Sequence, residues 1–249
     1  MEEPLQQDMA ATSAAACAPA GCAAPGVGAA EAPVTATDAV QPTGRWVYRA
    51  CKRVFDVVFS LCVVVIGAIP MALLCAAVRI ETPGSPLYAQ ERVGRGGRSI
   101  RIWKLRSMVV DADDVEKYLN SDQLAQWQAE RKVDDDPRIT RVGRAIRATS
   151  LDELPQFWSV LKGDMSVIGP RPVTADELSW LGEDAQEYLS VRGGITGLWQ
   201  VTDRNGATWE SGERQRIELA YVRSRGFRMD ASIFAATFGV MFGKGRTGR

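Results

Sequence analysis

The chain reads as an α+β, mostly helical protein: an N-terminal re-entrant membrane helix-break-helix packed on a small cytoplasmic domain with a short β-hairpin and interfacial amphipathic helices. Three observations predict this. An uncharged run from Val57 to Val78 contains Pro70 and has basic residues on both flanks. Two alternating stretches, Leu87–Val93 and Ser99–Arg106, are separated by Gly94-Arg-Gly-Gly97, the pattern of a two-stranded hairpin. Leu154, Phe157, Trp158 and Leu161 fall at i, i+3, i+4 and i+7, which gives a helix one apolar face.

The organisation follows in three parts. Residues 1–44 are rich in Ala, Pro, Gly and Thr and hold no aromatic residue, so they bury too little surface to offset the entropy of ordering and read as a disordered tail. The acidic opening Met1-Glu-Glu-Pro lacks the basic flank of a secretory signal, and the N-terminus is expected to stay in the cytoplasm. Residues 45–80 are the membrane segment. Its 22 uncharged residues reach about 33 Å as a straight helix, just enough for a hydrocarbon layer of roughly 30 Å, so a simple spanning helix competes with a hairpin. Pro70 removes a helix hydrogen bond and kinks the axis, which favours a dip into one leaflet. Arg45, Arg49, Lys52 and Arg53 precede the run, and Arg79, Arg92, Arg95, Arg98 and Arg101 follow it, whereas a single crossing keeps its positive flank on one side. Asp56 is costly against lipid and is expected near the interface, paired with Arg53 or Lys52 in a structural role.

Residues 81–249 form the remaining domain. A helix is expected to begin at Ser150 to Asp152 and stop at Gly163, with Ser150 and Glu153 spaced as a capping box and Pro155 tolerated in the first turn. Asp152 and Glu153 then sit where the helix dipole favours ionised carboxylates, although acids are also simply common there. Asp164-Met-Ser-Val-Ile-Gly reads as a short buried strand. It runs into Pro170-Arg171-Pro172, where two residues of restricted φ hold one guanidinium suited to bidentate capture of a phosphate. A solvated surface turn is the plainer reading of that tripeptide alone. Helices are expected over Asp111–Arg131, within 174–190 and over Thr208–Arg225, with a turn at Asp134-Asp-Asp-Pro-Arg138. Arg141, Arg144 and Arg147 form a basic stripe leading to the acids, suited to phosphate or anionic lipid. Phe234, Phe238, Met241 and Phe242 line one face before Lys244, Arg246 and Arg249, as core or as an interfacial helix.

Composition narrows the chemistry. With 30 acidic and 30 basic residues the chain carries no net charge, which argues against general nucleic-acid binding. It has no histidine, and its five cysteines all precede residue 81 without a Cys-x-x-Cys pair, so neither a zinc module nor a disulfide scaffold is indicated. Catalysis would rest on carboxylates, hydroxyls, lysines, arginines or a hard metal ion.

Leu151-Asp-Glu-Leu-Pro-Gln, Leu161-Lys-Gly-Asp-Met-Ser, Gly169-Pro-Arg-Pro and Gly194-Ile-Thr-Gly-Leu-Trp-Gln-Val together resemble the signatures of bacterial sugar transferases, the monotopic phosphoglycosyl transferases. The similarity runs from about Lys52 to about Asn205, with several motifs in the same order. It implies a bacterial inner-membrane enzyme whose catalytic domain faces the cytoplasm. That enzyme would move a sugar phosphate from a UDP-sugar to polyprenyl (undecaprenyl) phosphate through a covalent phosphosugar on Asp152, with Mg²⁺, starting exopolysaccharide or related glycan assembly. Lys52-Arg-Val-Phe-Asp56 resembles the family's entry motif and Pro70 its break. Gln90, Arg92 and Gly94, with Lys104-Leu-Arg106, match its next motifs and would bring cations to a site that holds pyrophosphate; a solvated basic face is the plainer reading. Glu153 points some 100° around a helix from Asp152, so it is placed to hold Mg²⁺ or orient the site, while Arg171, Lys104 and Arg106 stabilise phosphate oxygens. The Gly-Leu-Trp-Gln-Val form leans toward galactose or glucose, and Asp203 departs from the glycine common before the following arginine. Self-association is left open. A non-catalytic membrane adaptor of a glycan-assembly complex and another phosphotransferase are the competing classes; a P-loop kinase lacks its motif here.

Overall fold

The structure, a computed structural model, describes residues 45–130, 133, 135–202, 207 and 211–242. The tail of residues 1–44, the departure at Asp203, the start of the helix expected from Thr208 and the terminal Lys244, Arg246 and Arg249 lie outside them.

The first helix, α1 (Arg45–Glu81), is unbroken over 37 residues, about 55 Å if straight. Pro70 lies inside it, so the expected helix-break-helix is a single helical run; a proline removes one backbone hydrogen bond and can kink a helix without ending it. Among the described residues it is the helix long and apolar enough to cross a membrane. Its mid-section leaves Val65, Ile66 and Ile69 between 66% and 78% exposed, while both ends pack on the same domain. At the N-terminal end Lys52 pairs with Asp230 at 2.7 Å, and Arg53 donates to the carbonyls of Val160 (2.6 Å) and Leu161 (2.9 Å). Asp56, 1% exposed, accepts from the Val167 amide (2.9 Å) and the Ser166 hydroxyl (3.0 Å). This corrects the expected pairing of Asp56 with Arg53 or Lys52: two neutral donors fix the carboxylate, and the cations go to a helix end and another acid. At the C-terminal end Val78 packs with Leu105 and Ile146, and the Glu81 carboxylate accepts from the amides of Arg141 (2.8 Å) and Val142 (3.1 Å), which opens a later helix.

The hairpin forms as expected: β1 (Leu87–Val93) and β2 (Ser99–Leu105) pair antiparallel, with Leu87 opposite Leu105 and Val93 opposite Ser99. The helix expected over Asp111–Arg131 divides into α2 (Val115–Tyr118) and α3 (Ser121–Glu130). Asn120 accepts the Gln123 amide at 2.8 Å and donates its own to the Gln123 side chain, so a reciprocal cap starts a new helix there. Next, α4 (Arg141–Thr149) is capped by Thr140, whose hydroxyl accepts the Gly143 amide.

Ser150 closes α4 in the left-handed region (φ 56°), so it is a helix end and not the expected start. Leu151–Glu153 is one 3₁₀ turn, and α5 (Gln156–Lys162) begins only after Pro155. Gly163 ends α5 at φ 93°, as the sequence indicates.

The buried strand β3 (Ser166–Ile168) follows. After α6 (Ala175–Ser179) and α7 (Ala185–Tyr188) it pairs in parallel with β4 (Gly194–Thr196), Ser166 opposite Gly194 and Ile168 opposite Thr196. Gly194 is required: a Cβ there would stand 2.2 Å from the Gly169 amide nitrogen. The chain ends in α8 (Leu198–Thr202), α9 (Glu213–Ser224) and α10 (Phe227–Phe242). The main core gathers Ile100 and Ile102 of β2, Val160, Val167 and Ile168, Tyr221 and Val222 of α9, and Ile233 of α10. Phe234 packs edge-on against Phe55 and Phe59 of α1, whereas Phe238 is 44% exposed, so α10 joins the core on one side and presents an aromatic edge on another.

Replacing Asp56 with alanine strands the buried Val167 amide and Ser166 hydroxyl, at a cost of about 1–3 kcal/mol. The midpoint of thermal unfolding in detergent should fall accordingly; an unchanged midpoint would show that this junction does not hold the helix to the domain.

Candidate functional site

The two acids lie on a tight turn between α4 and α5, which presents them toward β2 and the segment after β3. Lys104, near the end of β2, reaches both: its Nζ is 3.4 Å from Glu153 Oε1 and 3.9 Å from Asp152 Oδ2. Arg171 Nη1 approaches the same Glu153 oxygen at 4.0 Å. The side chains of Asp152, Glu153 and Lys104 are 18–21% exposed, so the group is largely but not wholly removed from solvent. Burial and then the charge of Glu153 push the Asp152 carboxyl above its ordinary range, against the pull of Lys104 and Arg147. Burial pushes Lys104 below its usual value, opposed by Glu153. The site therefore holds close, partly desolvated opposite charges that an incoming anion or cation would rearrange.

Arg92 sits beside Arg171 and is itself held by Glu177 (2.7 Å) and Gln90 (2.8 Å). Arg106 is elsewhere. It donates to the carbonyl and hydroxyl of Thr82 just past α1 and lies near Arg79, which corrects its expected place among the cations around the acids. β2 ends at Leu105, so Arg106 follows the chain out toward the end of α1 instead of Lys104's side of the strand. Arg147, the last member of the basic stripe, turns inward: its Nε donates to Ser107 Oγ at 2.8 Å and its charge acts on Asp152, while Arg141 and Arg144 remain exposed. Pro70, Arg53 and Asp56 belong to α1 and its docking, away from the acids.

Two contributors had no signal in the sequence. Arg171 is clamped through its backbone: its amide donates to Glu218 Oε1 at 3.1 Å and its carbonyl accepts from the Tyr188 hydroxyl at 2.5 Å. Glu218, on a highly charged helix, and Tyr188, at the end of a single turn, follow no pattern of spacing that would single them out. Trp199 donates to the Ala207 carbonyl at 3.3 Å, and the Arg214 guanidinium stacks on its ring at 3.9 Å.

Among the described residues no group of three or more His, Cys, Asp or Glu gathers to hold a metal ion. The Glu153 carboxylate, beside Asp152, is a hard oxygen donor. It suits Mg²⁺, which keeps most of its shell as water and takes one or two carboxylates together with substrate phosphates.

The structure thus joins a long apolar helix to a compact domain that carries a carboxylate pair set among lysine and arginine. The chain belongs to the bacterial sugar transferase family, whose model matches residues 47–244. It is 41% identical to the UDP-galactose-lipid carrier transferase of Erwinia amylovora over 196 residues, covering 78% of this chain and 40% of that protein. To exopolysaccharide production protein ExoY of Rhizobium meliloti it is 38% identical over 76% of this chain and 82% of the relative. To the UDP-glucose:undecaprenyl-phosphate glucose-1-phosphate transferase of Caulobacter vibrioides it is 39% identical over 75% and 67%. The matched stretch thus covers only 40% of the Erwinia protein.

Because the folded Asp152 carboxyl titrates above its unfolded value, its contribution to stability is present below the unfolded pKa and lost as pH rises through the folded one. Asp152→Asn removes that loss and should raise, not lower, the thermal midpoint at neutral pH. A midpoint that drops would mean the carboxylate is stabilised in place.

Proposed function

We propose that this chain transfers a hexose 1-phosphate from a UDP-sugar to undecaprenyl phosphate, releasing UMP and starting exopolysaccharide or related glycan synthesis. The observation that carries this reading is the placement of Lys104 within 4.0 Å of both Asp152 and Glu153, with Arg171 4.0 Å from Glu153, in a chain of this family. The names of the relatives, which specify galactose or glucose and a lipid or undecaprenyl phosphate acceptor, support the substrate classes.

In the first half-reaction an Asp152 carboxylate oxygen attacks the β-phosphorus, the bond to the bridging oxygen breaks, and UMP leaves with that oxygen. In the second, an oxygen of undecaprenyl phosphate attacks the same phosphorus and the Asp152 carboxylate is released. Partial burial keeps the attacking oxygen poorly hydrated and so more reactive, while Lys104 keeps enough of it ionised to attack. Lys104 and Arg171 offset charge on the phosphate oxygens, and Arg92 stands behind Arg171. Glu153 would hold Mg²⁺, which supplies neutralisation of the pyrophosphate when bound.

The anchor is part of the same proposal. In this reading α1, continuous but kinked at Pro70, dips into one leaflet and returns, which its basic flanks and the docking of both its ends on one domain support. The domain then rests on the cytoplasmic face of the bacterial inner membrane, and the acids lie at the depth of a lipid phosphate. Confining both partners to one surface supplies much of the positioning that the second half-reaction needs.

Asp152→Asn should abolish UMP release from UDP-galactose or UDP-glucose with undecaprenyl phosphate, and mass spectrometry of the wild-type protein given UDP-sugar alone should find a hexose phosphate on Asp152. Wild-type protein that releases no UMP would favour the adaptor class; full activity in the variant would refute covalent catalysis.

Cysteines introduced at the exposed Trp46 and Ser85 of a cysteine-free chain should react with an impermeant thiol reagent from the same side of sealed vesicles. Reaction from opposite sides would make α1 a spanning helix.

A further inference from the structure

Arg106 belongs to the motif that supplies Lys104, yet it serves no part of the chemistry above. It packs on the loop that follows α1. Its Nη2 donates to the carbonyl (3.0 Å) and the hydroxyl (2.8 Å) of Thr82, and its Nε is buried without a hydrogen-bond partner. Its Nη1 lies against Gly84, where a Cβ would stand 2.6 Å away. Gly84 has φ 101°, a conformation open to glycine, so the guanidinium rests on bare backbone. The carbonyl of the same Gly84 accepts Nη1 of Arg79, the exposed arginine in the last turn of α1, at 2.9 Å. Two guanidiniums thus meet on one glycine.

Only neutral oxygens hold them. Among the described residues neither arginine forms a salt bridge, and Glu81, two residues after Arg79, gives its carboxylate to the amides of Arg141 and Val142. Capping the end of α1 accounts for the backbone contacts but needs only one cation. A second beside it is held against repulsion: burial and then the charge of Arg79 push the Arg106 guanidinium below its ordinary value. Exposed apolar side chains border the pair. Ile80 is 86% exposed, and Val110, whose Cγ2 would lie 3.4 Å from a Cβ at Gly84, is 56% exposed. Cations with spare donors, beside bare apolar groups at the end of an apolar helix, match the headgroup layer, where a phosphate and the start of an acyl chain occur together.

We propose that Arg79 and Arg106 form a site for the phosphate of an anionic bilayer phospholipid, which holds the C-terminal end of α1 at headgroup depth. A phosphodiester there accepts charge-assisted hydrogen bonds from Nη1 of Arg106 and Nη2 of Arg79, neither of which has a hydrogen bond among the described residues. The acceptor lipid of the transfer reaction is a different occupant, because its phosphate must reach Asp152, where Lys104 is the cation at hand. The inference rests on α1 entering a membrane and is independent of the sugar chemistry.

Native mass spectrometry of the full-length protein, released from a nonionic detergent titrated with phosphatidylglycerol, reads the lipid retained on each molecule. Wild-type protein should keep one phosphatidylglycerol in preference to phosphatidylcholine, whose headgroup carries its own cation. Arg79→Glu sets a carboxylate beside Arg106 and should raise the dissociation constant of that lipid by on the order of tenfold. Arg45→Gln combined with Arg49→Gln makes the same change of net charge at the opposite flank and should leave the constant where it was. Equal losses in the two variants would reduce the effect to general flank charge and overturn the site, as would equal retention of the two lipids by the wild type. Inorganic phosphate that displaces phosphatidylglycerol at matched concentration would mark a free-anion site and overturn the lipid assignment. Undecaprenyl phosphate held more tightly than phosphatidylglycerol, and released by Arg79→Glu, would hand the pair to the acceptor and overturn it too. Should Arg79→Glu fail to fold, Arg79→Gln removes one set of donors without adding a charge and should still weaken retention several-fold; unchanged retention there would refute the site.

Discussion

A buried carboxylate on an apolar helix is the junction on which the molecule depends. Asp56 takes the amide of Val167 and the hydroxyl of Ser166, and Arg53, three residues earlier, closes the last carbonyls of α5. Both contacts lie on elements that carry the site: β3 leads into the Pro170-Arg171-Pro172 turn, and α5 follows directly from the turn bearing Asp152 and Glu153. The helix that supplies the greasy surface is therefore bonded, by polar groups it could not satisfy in lipid, to the two segments that place the charged side chains. The opposite end of α1 repeats the device in miniature, with the Glu81 carboxylate capping α4 and Val78 packed on Ile146.

The site itself is built from charges at close quarters without histidine. Each member is compromised by its neighbours: Asp152 is pushed up by burial and Glu153, and Lys104 is pushed down by burial while Glu153 opposes the shift. Charges held this close and partly desolvated are preorganised, so a complementary charge brought to them interacts more strongly than it would in water. The backbone clamps serve the same end. Gly169 and Gly194 approach so closely that neither tolerates a side chain, and with Glu218 and Tyr188 they leave the Arg171 peptide little freedom.

Much was legible in the sequence because it was local. The hairpin follows from alternation around a glycine-rich turn, the end of α5 from Gly163, and the buried β3 from a short apolar run. The apolar character of α1 and the conjunction of acids with the Pro-Arg-Pro turn were visible too, and agreement among several ordered motifs identified the family. Ser150 was misread because a serine with a glutamate three residues on has the form of a helix start wherever it occurs. Only the left-handed closure of α4 at that residue shows that it ends one helix, leaving the acids on a 3₁₀ turn.

What the sequence alone determined, then, is the inventory and its local geometry: an apolar helix with basic flanks, a hairpin, a carboxylate pair and a braced arginine. Only the tertiary structure decided which cations serve the acids. Lys104 and Arg147 turn in, Arg106 leaves for Thr82, and Glu218 arrives from a helix more than 60 residues further on. The reason is physical. Spacing along a chain governs which face of its own element a side chain occupies, whereas partnership between charges depends on distance through space, set by how the elements pack.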